Sequence, residues 1–206
     1  MNPTLAKSLA ALAGTAAVGT GGALAFSQSS TKIPNTVAYH LENTKKLRLI
    51  SSLSTSEVDA QWTEEYKLDK EEIKKVIQGI DGNDSNGGTK LKEWCESQLS
   101  KDFKSDSDLS KEEKWCTIGK ISQRIPKGKT IISGESTAWA SVYDSQSQKE
   151  DRSKLKLAET KDGNTKNDDL SKIKKFCEDT KDKDFLASKK EDEYDLFIKW
   201  CISPTA

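Results

Sequence analysis

The four cysteines are the residues best placed to do chemistry in this chain. Each directly follows an aromatic residue, and they fall into two pairs, Cys95 with Cys116 and Cys177 with Cys201, separated by 21 and 24 positions. Closing either loop as a disulfide would stabilise the fold by about 3 kcal/mol in the chain-entropy model. An even number of cysteines behind an apolar N-terminal segment favours disulfides. We predict one structural disulfide within each pair.

Two other states of the cysteines stay open, namely free buried thiols and a zinc site. Zinc sites usually show closely spaced C-x2-C or H-x3–5-H ligand pairs, which this sequence lacks. Each pair also supplies only two ligands, so a zinc ion would have to be shared by both pairs. We therefore predict no metal site.

The stretch 81–88 resembles a calcium loop in part. Asp81, Asn83 and Ser85 have the required oxygen spacing, but Asn86 and Lys92 stand where glycine and a bidentate glutamate are needed. We interpret this stretch as a plain loop between two helices.

The other catalytic or nucleotide-binding patterns are incomplete. Gly128-Lys129-Thr130 lacks the first glycine of a phosphate-binding loop. Ser136 lies in a sequence resembling a nucleophile elbow, but the only histidine, His40, lies upstream in a predicted linker. We interpret Ser136 as a helix cap, and we predict no catalytic residue and no cofactor. A pair of catalytic carboxylates stays open as an alternative because acids are abundant.

Elements that could position the cysteines occur twice. The two copies start 82 positions apart, and W-x3-Y, Asp-Gly-Asn and Asp-Phe recur in the same order. We predict a tandem duplication of about 80 residues, with repeat units at 45–122 and 127–203. Large aromatic residues kept in register are typical of core anchors. The predicted anchors are Trp62, Tyr66, Trp94, Trp115, Trp139, Tyr143, Phe176 and Trp200.

Apolar periodicity near 3.6 residues predicts a mainly α fold of two similar small bundles, with four or five short helices each. The first helix is expected within Leu41–Leu53 and another within Leu68–Ile80. Thr89 and Ser110 are expected to cap the helices that carry the first cysteine pair.

The N-terminal segment favours a membrane-associated chain. After a short tail at 1–7, residues 8–26 carry no charge and would just cross a hydrocarbon core of about 30 Å as a helix. A signal peptide cleaved after Ala25 is the alternative to an uncleaved anchor. Residues 27–44 are interpreted as a linker.

The charge balance excludes an electrostatic footprint for nucleic acid. Lys and Arg number 33, as do Asp and Glu, so the net charge is zero. Only 33% of the residues are hydrophobic, a lean core for which a covalent staple is useful.

Several motifs together resemble a known group of proteins. They are Leu5-Ala6-Lys7 before the apolar segment, W-x3-Y, Leu91-Lys92 before Trp94-Cys95, and the Lys-Trp-Cys that ends each unit. The chain resembles the paralogous families of uncharacterised membrane-anchored proteins of haemotropic mycoplasmas over most of its length. The resemblance implies a surface-exposed protein of the kind associated with antigenic variation or host contact, and it carries over no catalytic residue.

The sequence thus predicts a single-pass, surface-exposed, non-catalytic protein. Its expected partners are the membrane, through the N-terminal helix, and a host surface or immune ligand, while the oligomeric state stays open. The alternatives are a secreted carboxylate-dependent hydrolase and a self-associating envelope scaffold.

Overall fold

The computed structural model describes residues 34–80, 83–134, 137–145, 149–159 and 163–204. The predicted tail at 1–7 and anchor at 8–26 lie outside these residues. Within the described part, no helix is both long and apolar enough to cross a membrane. The chain from Pro34 onward forms one compact unit, whose described residues are mainly helical, as the apolar periodicity predicted.

We call residues 34–118 the first half of this unit. A short helix α1 continues into one turn of π-helix, and a 3-10 turn precedes the four longer helices. Their bounds are α1 Val37–Tyr39, the π-turn His40–Thr44, the 3-10 turn Ile50–Ser52, α2 Val58–Leu68, α3 Lys70–Val76, α4 Asp84–Leu99 and α5 Ser110–Trp115.

Residues 119–204 form the second half, in which one long helix again carries the first cysteine of the pair. The described elements are the 3-10 turns Ile121–Gln123 and Ala187–Lys189, the π-turn Lys190–Tyr194, α6 Ala138–Ser145, α7 Lys149–Lys154, α8 Lys166–Lys181 and α9 Asp195–Cys201. Helices α4 and α8 each have 16 residues.

Each half closes on itself through the same two short antiparallel contacts. In one contact the backbone beside the second cysteine pairs with a segment near the start of the half: Ile50 N donates to Cys116 O, and Ile132 N donates to Cys201 O. In the other contact, the phenylalanine of the Asp-Phe motif pairs with the start of the half. Phe103 N donates to Asn35 O, and Phe185 N donates to Gly119 O.

The core consists of two hydrophobic clusters, one in each half. The first contains Trp62, Tyr66 and Trp115, and the second contains Trp139, Tyr143 and Trp200, each with its own cysteine pair. One leucine from each half packs against the cluster of the other half: Leu186 packs on the first cluster and Leu68 on the second. The halves are therefore in direct contact.

The first cluster begins earlier in the chain than the sequence predicted. Val37 and Leu41 are buried, although both lie in the predicted linker 27–44. The helix expected within Leu41–Leu53 is also wrong, because the π-turn ends at Thr44 and Leu49 is extended and pairs with Thr117. The polar composition of this stretch gave no sign of the two buried residues, which lie in the short helix α1 and the π-turn.

Residues 84–88 of the predicted loop 81–88 are helical. Asn83 caps α4 by accepting a 3.0 Å hydrogen bond from Asn86 N, so the helix begins at Asp84 rather than after Thr89. Ser110 likewise is the first helical residue of α5 rather than its cap. The glycines that suggested a loop, Gly87 and Gly88, are buried against α2.

Replacing Gly88 by alanine is expected to destabilise the protein, although alanine is the better helix former. A Cβ atom at Gly88 would lie 2.8 Å from the backbone N and Cα atoms of Thr63, so α2 and α4 would have to move apart. Overpacking minus the gain in helix propensity gives a net loss of about 1–2 kcal/mol in the free energy of unfolding. Urea denaturation measures it.

The matched control is Gly163→Ala, since a Cβ atom there meets nothing within 4 Å. This variant should unfold within about 0.5 kcal/mol of the parent chain. Equal stability of the Gly88→Ala variant and the parent would contradict close helix packing at this point.

Candidate functional site at the junction of the two halves

The predicted core anchors line the two clusters. Six of them are buried, with at most 6% of their surface exposed, namely Trp62, Tyr66, Trp115, Trp139, Tyr143 and Trp200. Trp94 and Phe176 are half-buried at the edges of their clusters. Trp94 also packs edge-on against Trp115, with ring centroids 5.6 Å apart. Among the eight, these two alone keep an appreciable accessible face.

The cysteines are joined as disulfides within each predicted pair. Cys95 is bonded to Cys116 and Cys177 to Cys201, both with a Cα–Cα distance of 5.6 Å. No group of three or more metal-ligating side chains occurs among the described residues. The cysteines therefore link α4 to the end of α5 and α8 to the end of α9.

The remaining sequence candidates are not brought together. His40 is not in a solvated linker, because its ring stacks on Phe103 with 3.7 Å between centroids. Ser136 and Asp81 lie outside the described residues. Gly128 has a positive φ of 80° and sits in a turn, away from any phosphate-binding geometry at a helix start.

A polar cleft of about 350 Å³ lies at the junction of the halves. One wall is formed by α2 and α3 and supplies the carboxylates of Glu65, Asp69 and Glu72. The other wall is formed by the end of α5 and the segment after the 3-10 turn at 121–123, and it supplies Lys114, Arg124 and Lys127. Leu68, Trp115 and Ile125 contribute apolar surface between the charged groups.

A buried ion pair forms the floor of this cleft. Arg124 Nε donates to Glu65 Oε2 at 2.8 Å, and the two side chains are only 6% and 3% exposed. Arg124 Nη2 also donates to the backbone oxygens of Lys114 and Thr117. Burial raises the pKa of Glu65 to about 7, because removing the carboxylate from water outweighs the opposing attraction of Arg124.

Gln61 extends the same network into the second half. Its Nε2 atom donates to Glu65 Oε1 at 3.2 Å and to Phe185 O at 3.0 Å, and its Oε1 atom accepts from Ala187 N at 2.7 Å. Tyr194 adds a hydrogen bond from its hydroxyl to Arg124 O, and its burial raises the pKa of the phenol. The polar contacts at the junction are thus buried and mutually satisfied.

Closer to solvent, Asp69 holds the middle of the cleft. Its Oδ2 atom accepts from Trp115 Nε1 at 2.7 Å and from Lys114 Nζ at 2.5 Å. At the mouth, Glu72 accepts from Lys75, and this hydrogen bond is the main cause that lowers the pKa of Glu72. The charge of Lys127 across the mouth contributes in the same direction.

Sequence reasoning missed this site because no single charged residue stands out among so many. One signal was present: Gln61 and Glu65 each precede a predicted anchor, Trp62 and Tyr66, and share their buried helical face. A polar residue on an anchor face must find a partner when buried, which singles out these two residues. The basic partner, Arg124, has no such signal, since it lies outside any regular helix.

Comparison with known proteins gives no match to a family model, to a curated protein or to a solved structure.

Proposed function

We propose that the chain is a membrane-anchored, surface-exposed, non-catalytic protein that displays two helical repeats as an antigenic or host-contacting surface. The observation that carries this proposal is the disulfide in the same position of each half, joining the long helix to the last one. Disulfides form and persist in oxidising surroundings, outside the cytosol. The apolar residues 8–26 supply a membrane anchor of sufficient length.

The proposed duplication is supported by matched backbone contacts as well as matched motifs. The pairing of Ile50 with Cys116 is repeated by Ile132 with Cys201, at offsets of 82 and 85 positions. Two similar units on one anchor would present similar helical surfaces twice. A surface that is presented twice is better suited to display or adhesion than to catalysis in a single enclosed active site.

Protease shaving of intact cells that carry the protein tests its location. We expect the described unit to be cleaved or released, because its polar loops would face the medium. Complete resistance, while known surface proteins on the same cells are digested, would sink the proposal. The intact mass separates anchor from signal peptide: a chain retained from Met1 is anchored, and one beginning near Phe26 is secreted.

Self-association as an envelope scaffold is disfavoured by the residues that join the halves. Aligning Trp62 with Trp139 and Phe103 with Phe185 places Ala138, Val142 and Lys104 where the junction has Gln61, Glu65 and Leu186. The surfaces around these three counterparts thus lack the side chains that join the two halves. Sedimentation in detergent should give a monomer, and a concentration-dependent oligomer would favour the scaffold instead.

The cleft gives the secreted hydrolase one favourable observation, a buried carboxylate of raised pKa near a second carboxylate. Its geometry weakens this reading, because both oxygens of Glu65 are already occupied by Gln61 and Arg124. A general acid must reach the atom that it protonates. Hydrolysis of a glycoside panel that is abolished by Glu65→Gln in a folded variant would favour this second candidate.

A further inference from the structure

The acidic side chains of the cleft form a ladder along α2 and α3. Glu65 lies in α2, Asp69 at the break between α2 and α3, and Glu72 in the first turn of α3, and all three line the same wall of the cleft. Each stands on the wall opposite a cationic side chain. The innermost pair, Glu65 with Arg124, is closed at 2.8 Å, and the middle pair, Asp69 with Lys114, is closed at 2.5 Å.

The outermost pair of the ladder is open. Glu72 is bonded to Lys75 on its own helix, and Lys127 forms no ion pair with any described residue. The second oxygen of Asp69, Oδ1, also accepts no hydrogen bond within the described part of the chain. Carboxylate oxygens on one wall and a free ammonium on the other are therefore both available at the mouth, with Leu68 and Ile125 between them.

We propose that the mouth of this cleft binds a small zwitterion, whose ammonium lies against Asp69 Oδ1 and Glu72 and whose anionic group lies against Lys127. Such a ligand completes the open pair with both charges matched. A simple cation would leave Lys127 without an anionic partner, and a simple anion would be repelled by the carboxylates of Asp69 and Glu72. The cleft volume suits a molecule of amino-acid or headgroup size.

Free amino acids and the phosphoethanolamine headgroup of lipids share this chemistry. The full chain, oxidised and held in detergent micelles, can be labelled with ¹⁵N at its tryptophan indoles. The Trp115 indole N–H donates to Asp69 and should report ligand binding at that carboxylate, whereas the Trp139 indole donates to Gly134 O in the second half and should not move. The probes are L-alanine and glycerophosphoethanolamine, the diester that has the charges of the lipid headgroup, with ethanolamine and inorganic phosphate as single-charge controls that carry one sign of charge only.

We expect at least one zwitterion to shift the Trp115 signal saturably at millimolar concentration, and neither single-charge probe to do so. Saturation by alanine alone supports the proposal with a free amino acid as ligand, and saturation by glycerophosphoethanolamine alone supports it with a headgroup. No saturable shift with either zwitterion up to about 10 mM overturns it. Equal binding of ethanolamine or phosphate overturns it as well.

Rim variants locate the binding. Glu72→Gln and Lys127→Gln each remove one charge at the mouth and should weaken zwitterion binding by about fivefold to tenfold. The matched controls are Glu71→Gln and Lys74→Gln, exposed neighbours on α3 that do not line the cleft, and these should bind as the parent does. Unchanged affinity in both rim variants would place the ligand elsewhere and overturn the proposal.

Discussion

Replacing all four cysteines by alanine is expected to lower the free energy of unfolding by about 6 kcal/mol, with about 3 kcal/mol from each disulfide. Each bond closes a loop of 21 or 24 positions, and opening it restores that freedom to the unfolded chain. Domains of this size are stable by only about 5–15 kcal/mol. The four-alanine variant should therefore be at or near the limit of folding, as judged by urea denaturation and near-ultraviolet circular dichroism.

The two paired variants, Cys95→Ala with Cys116→Ala and Cys177→Ala with Cys201→Ala, separate the contributions. The bonds lie in different hydrophobic clusters, so their effects should add to within about 0.5 kcal/mol. Reduction of the parent chain provides a control without mutation and should lower its stability by a similar amount. Identical unfolding curves for the oxidised and reduced parent would contradict the role of the disulfides as staples.

The cysteine pairing and the helical class were predictable because both leave a local mark in the sequence. Each cysteine follows an aromatic residue at a repeated distance, and the helices that carry Trp62 and Trp139 have apolar residues at helical spacing. Where local composition and tertiary packing disagreed, the sequence misled. Gly87 and Gly88 suggested a loop, yet small residues are needed there because α2 passes so close to α4.

The cleft depends on contacts between residues far apart in the chain, which explains why it was not predicted. Glu65 and Arg124 are separated by 59 positions, and Gln61 reaches Phe185 across 124. A sequence repeat marks only the residues that both copies share. The junction is built from what they do not share, because the counterparts of Gln61 and Glu65 are Ala138 and Val142.

Replacing Arg124 by methionine is expected to lower the free energy of unfolding by about 3–5 kcal/mol, since it leaves the Glu65 carboxylate buried without its cation. The double variant Glu65→Gln with Arg124→Met should recover most of this loss. Replacing a buried ion pair by uncharged groups of similar size is often close to neutral, whereas removing one partner is not. Equal losses in the single and double variants would show that the charge of Glu65 is not the cause.

The pH dependence gives this prediction a definite sign. Burial raises the pKa of Glu65 from 4.5 to about 7, so the folded state holds its proton more tightly than the unfolded state does. The resulting stabilisation is complete below the unfolded value and is lost as the pH rises through the folded value. Removing Arg124 takes away an attraction that lowers this pKa, so the Arg124→Met defect should be largest above pH 7 and smaller at pH 5.

Urea denaturation of the parent, the single and the double variant at both pH values measures the difference. A defect of equal size at the two pH values would mean that Arg124 acts through its packing on Gly119 and its bonds to Lys114 O and Thr117 O rather than through the buried carboxylate.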